Sequence, residues 1–210
     1  ELASKQDTVE ARRAFLAPLL ASEPAVAAVV TANEFGRLFE LCRSSADGGS
    51  SRLATAQLLL SPLAVRQLAQ VGGLEQVVRE MLAEPDANLL AAFLDRLLAR
   101  PPAVDELVNQ GQFAAIFKAA EAEADVERRR RILGNVLQTT RAIQALAAEG
   151  WLDDVFEFLV DSPVADNIRM SLGQLVYNDE SMRALAAAGR SQRMLELIQR
   201  EPEVNSRAPR

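Results

Sequence analysis

Apolar residues recur along this chain at helical spacing, in short blocks separated by turn residues. Leu74, Val77, Val78, Met81 and Leu82 follow i, i+3, i+4, i+7 intervals, the mark of an amphipathic helix. A shorter block at 64–71 precedes them and closes on Gly72. A longer one at 87–99 follows, after the turn Glu84-Pro85-Asp86, and stops at Pro101-Pro102. Glycine suits the left-handed residue just past a helix end, and proline suits a helix start. The pattern therefore predicts three helices: a short one, a glycine turn, then two longer ones.

The same pattern returns along the chain. Gly72, Gly111, Gly150 and Gly189 stand 39 residues apart, and Asn33 holds that place one period earlier. Asn is the non-glycine residue that best tolerates a left-handed backbone. The flanks repeat as well: AVRQLAQV, AVDELVNQ, AIQALAAE and MRALAAA before the glycine, GLEQVVREML, QFAAIFKAAE, WLDDVFEFLV and RSQRMLELIQ after it, with EFGRLFELCR in the first copy. AFLAPLLASEPAV at 14–26 parallels AFLDRLLARPPAV at 92–104, so residues 7–22 read as the last helix of an incomplete leading copy. Pro18 should kink or shorten that helix. The register predicts one domain over 1–201: a partial copy at 7–23, full copies at about 24–62, 63–101, 102–140 and 141–179, and a partial copy at 180–201. Residues 202–210 read as a flexible tail, and 43–52 (RSSADGGSSR) as a Gly/Ser-rich loop. A lone copy cannot bury its apolar face, so the copies must stack into one continuous core.

A short helix, a glycine turn and two further helices in about 40 residues resemble the armadillo repeat; a two-helix HEAT-type unit is the competing reading. The resemblance implies an all-α, right-handed α-solenoid whose third helices line a concave groove. It also implies a polar residue, often Asn, on each third helix, able to hydrogen-bond an extended peptide. The matching positions are Gln57, Arg96, Asn135 and Gln174, 39 residues apart. Helical geometry adds residues four before and three after each on the same stripe: Arg131 and Gln138, Met170 and Tyr177, Leu53 and Leu60, Ala92 and Ala99, with Arg128 extending it. The importin-alpha branch of the family carries Trp one turn before the polar residue. Leu53, Ala92, Arg131 and Met170 stand there instead, which argues against recognition of nuclear-import cargo.

Composition narrows the function. Histidine is absent and Cys42 is the single cysteine, which removes His-based acid–base and nucleophile systems, internal disulfides and Cys/His metal sites. No enzymatic activity, cofactor or metal is expected. A formal net charge of −6 argues against a general nucleic-acid or membrane-surface binder. No apolar run nears the roughly 20 residues that span a bilayer. An intracellular place is expected, the cytoplasm first, with an organelle matrix after presequence removal as the other.

Arg128-Arg129-Arg130-Arg131 is the strongest charge cluster. By phase, Arg128 and Arg131 face the groove, Arg129 the packed side and Arg130 solvent. A partner bearing carboxylates or phosphates would suit them, and pairing with Glu121, Glu123, Asp125 and Glu127 is the plainer account. Glu75, Glu80, Asp153, Asp154 and Glu157 on the second helices predict an acidic convex side. Cys42 aligns with the core positions Met81 and Ala120. Trp151, with counterparts Gly73, Gln112 and Arg190, sits where variable residues tend to be exposed, although partial burial is expected of Trp itself. Gly134 and Gly173 either ease close helix approach or are merely tolerated. The leading functional expectation is a scaffold or adaptor that binds a protein or peptide, possibly acidic, along the groove. The alternatives are a subunit of a larger assembly, or a self-associating chain, docked through its partial terminal repeats, and an RNA-binding helical-repeat protein, which the scarcity of aromatic stacking residues disfavours.

Overall fold

The computed structural model describes residues 22–44, 52–160, 179–187, 189–192 and 196, and among these the chain is helical with no strand. It divides into two compact units, Glu1–Ala124 and Asp125–Arg210. Residues 7–21 of the expected helix at 7–22, and the tail, lie outside the described residues, and Ser22 is extended rather than helical.

In the first unit, α1 (Glu23–Thr31) and α2 (Phe35–Ser44) precede α3 (Arg52–Ala56), which continues as a 3-10 turn over Gln57–Leu60. Then come α4 (Pro62–Gln70), α5 (Leu74–Leu82), α6 (Ala87–Leu98), α7 (Pro101–Asn109) and α8 (Phe113–Glu121). Helices α1, α4 and α7 pack in succession, as do α5 and α8, while α6 lies against the 3-10 turn. Two residues assigned to a loop by composition, Arg43 and Ser44, belong to α2, and Arg52 opens α3.

Local chemistry sets these ends. Ser61 precedes α4 and its hydroxyl accepts from the Ala64 amide at 3.4 Å, with Pro62 at the first helical position. That cap starts the helix two residues before the apolar block does. Asp86 caps α6 by accepting from the Asn88 and Leu89 amides at 2.9 and 3.2 Å. The first helices close on residues with positive φ: Asn33 (57°), Gly72 (70°) and Gly111 (70°). At Gly72, its own amide bonds to the Ala69 carbonyl at 3.1 Å and the Gly73 amide to Leu68 at 2.8 Å. These two bonds satisfy carbonyls that the helix end would otherwise strand. The turns at Asn33 and Gly111 carry the same pair.

The core is aliphatic. Leu58, Leu59, Leu68, Met81, Leu97, Leu98, Leu107 and Ile116 are fully buried, each contributing about 1.5–3 kcal/mol by leaving water. Leu74, Val77, Val78 and Met81 form the expected inner face of α5, but Leu82 is only half-buried. Phe113 stacks on Phe117 with ring centroids 6.0 Å apart. Arg66 on α4 pairs with Glu106 on α7 at 3.1 Å.

The second unit contains α9 (Val126–Val136), α10 (Thr140–Glu149), α11 (Leu152–Val160) and α12 (Asp179–Ala187). Asp125 caps α9, accepting from the Arg128 amide at 2.8 Å. α9 packs on α11, and α10 on both α11 and α12. Gly150 (φ 77°) and Gly189 (φ 71°) close α10 and α12 with the same hydrogen-bond pair. Ile132, Leu133, Val136, Ile143, Leu146 and Leu185 fill this core.

Candidate functional site

In the first unit, two of the expected polar positions meet. Arg96 on α6 donates from Nη2 to Gln57 Oε1 at 3.3 Å. The Gln57 amide also donates to the Leu53 carbonyl at 3.2 Å, which fixes its oxygen toward the arginine. Arg96 is exposed, as are Ala92 and Ala99 on its stripe. Leu53 is half-buried. Leu60 is not part of this face: it is buried at the end of the 3-10 turn, which packs against α4 and α6. An α-helical phase carried through residue 60 misses that change of winding. Below the stripe, Arg100 donates to the Leu60 carbonyl at 3.5 Å.

Residue Leu89 escaped the sequence reading. It is 49% exposed and lies two turns before Arg96 on the same side of α6. Its place 39 residues before Arg128 was the available signal.

In the second unit, Asn135 and Gln138 are half-buried, and the Gln138 amide donates to Asn135 Oδ1 at 3.4 Å. Arg131 is exposed and Arg128 half-buried. Gln174, Met170 and Tyr177 lie outside the described residues.

The arginine run keeps its helical phase at Arg129, on the packed side, and departs from it at Arg130. Arg129 lies over the Phe158 ring of α11, 4.1 Å from its centroid. Arg130, expected in solvent, has a side chain only 10% exposed; it bonds Glu127 at 2.6 Å and lies 5.5 Å from the same ring. The guanidinium planes are attracted to the ring face, and the contact strengthens as water leaves. Phase alone missed this because Phe158 comes from another helix. No family model, curated protein or solved structure matches the chain.

The second helices supply ion pairs and little chemistry. Glu75 pairs with Arg79 at 2.5 Å, and Glu80 accepts from Gln76 at 2.7 Å. Asp153 accepts two hydrogen bonds from Arg190, through Nε and Nη2. Those bonds, and the carboxylate charge, raise the arginine pKa further above its ordinary value. None of the positions following the glycines is exposed, although their variability pointed that way; for Trp151 itself partial burial was expected. Gly73 is buried because the Phe39 ring covers it, and a Cβ there would fall 2.5 Å from Phe39 Cε1. Trp151 and Arg190 are half-buried. Cys42 lies within α2, but its side chain is outside the described ones. Gly134 is buried within α9. No cluster of three metal-ligating side chains occurs among the described residues, and no described helix is long and apolar enough to cross a membrane.

Proposed function

We propose that the chain is an armadillo-like repeat protein, an α-solenoid of 39-residue copies, and that it is a non-enzymatic scaffold or adaptor. It binds a partner protein chain through its third-helix faces. The hydrogen bond between Gln57 and Arg96 carries this reading. Two polar side chains one period apart share an exposed face, where helices that served only to fill a core would present apolar groups to each other. The left-handed closing turns at Asn33, Gly72, Gly111, Gly150 and Gly189 support the repeat assignment. In the second unit, Arg128, Arg131, Asn135 and Gln138 follow one another at helical spacing and supply guanidinium and amide donors suited to backbone carbonyls and carboxylates.

The test begins with partners cross-linked to the full chain in its native cells and identified by mass spectrometry. The affinity of a purified partner is then measured for the wild type, for Arg96→Glu, and for Arg131→Glu combined with Asn135→Ala. At least one variant should lose about tenfold or more, the equivalent of roughly 1.4 kcal/mol. Unchanged affinity in both variants sinks the reading. RNA as the partner would appear as a steep fall in affinity with salt, and would replace the protein-binding conclusion.

A further inference from the structure

The stripe on α6 is uncharged except at one point. Leu89, Ala92 and Ala99 are neutral and exposed, and Arg96 stands among them. The hydrogen-bond partner of Arg96 is a neutral amide, so that contact fixes the guanidinium without cancelling its charge. A guanidinium has five donors, and Gln57 engages one through Nη2. Leu89 is 49% exposed where its counterpart one copy later is an arginine. Aliphatic surface and a positioned cation thus lie side by side, about 10 Å apart along the helix axis at 1.5 Å per residue. An extended chain covers that span in about three residues.

From this we infer that the α6 face recognises an acidic side chain with an aliphatic one about three positions away, in an extended segment of a partner protein. The carboxylate binds Arg96, and the aliphatic group covers Leu89 and Ala92. Gln57 is a positioning residue that aims the guanidinium. This inference rests on the partner-binding reading above and adds the chemistry that one unit selects.

The probe is a displayed library of random 12-residue peptides panned on the purified full chain and on its variants. The wild type should enrich peptides pairing Asp or Glu with Leu, Ile or Val. Arg96→Glu should replace that acidic preference with Lys or Arg, a change of specificity that a misfolded protein cannot produce. Gln57→Glu, which pairs the guanidinium internally, should weaken an enriched acidic peptide by about threefold to tenfold, in line with one exposed charge contact. Enrichment that ignores charge at residue 96 but is lost in Arg131→Glu overturns this inference and leaves the partner-binding reading standing on the second unit. Peptides insensitive to both substitutions, or no enrichment, overturn both. A basic consensus on the wild type overturns the inference alone.

Discussion

Helices α6 and α9 occupy the same place in the register, 39 residues apart, yet they differ on both sides. On the outer stripe, Leu89, Ala92, Arg96 and Ala99 give way to Arg128, Arg131, Asn135 and Gln138. On the inner side, buried Ala91 gives way to Arg130, and Ala119 on α8 gives way to Phe158 on α11. Small residues in the first unit thus correspond to a guanidinium over an aromatic ring in the second. The lesson is that a helix can carry a largely buried charge on its inner side if a neighbouring helix brings a ring to meet it and its own preceding turn brings an acid. In the second unit Phe158 and Glu127 do so.

The comparison can be broken first at the cores. Leu94 in α6 and its counterpart Leu133 in α9 are both buried. Replacing either by Ala should cost about 2–5 kcal/mol in urea denaturation. A much smaller loss at Leu133 would mean that the polar packing leaves the second unit loose. Gly73→Ala comes next, at about 1–3 kcal/mol, because the added methyl group meets the Phe39 ring. Adding Phe39→Leu should restore part of the loss in melting experiments; a simple sum of two losses would show that the ring is not the obstacle. In the second unit, Phe158→Leu keeps apolar bulk but removes the ring face under Arg129 and Arg130. It should destabilise by about 1–2 kcal/mol, whereas Ala119→Leu in the first unit tests space alone. Equal stability of wild type and Phe158→Leu would assign the arginines no part in packing. The smallest effects are at the caps. Asp86→Ala and Asp125→Ala should each cost about 1 kcal/mol, with amide hydrogen exchange quickened in the first turns of α6 and α9 respectively.

Much of the helical plan was legible because it is local. A left-handed residue requires glycine or asparagine whatever lies nearby, so the spacing of Gly72, Gly111, Gly150 and Gly189 marks helix ends directly, and Asn33 joins them at φ 57°. The Gln57 and Arg96 pairing was legible as a register, though the hydrogen bond itself was not. What escaped depended on tertiary neighbours. Arg130 turned inward because of Phe158, Gly73 was covered by Phe39, and Leu60 was buried where the winding tightens to 3-10. Helical phase has no means of anticipating a ring supplied by another element.

The closing turns also bear on how the chain is made. Each is held by hydrogen bonds between residues three and five apart, such as Gly72 to Ala69 and Gly73 to Leu68. None waits for a distant segment to arrive. Helices closed by such short-range links form on the order of a microsecond. Translation adds only about 5–20 residues each second. Each of these helices therefore has ample time to close on its left-handed residue, and to offer its apolar side to the next, before the following helices leave the ribosome.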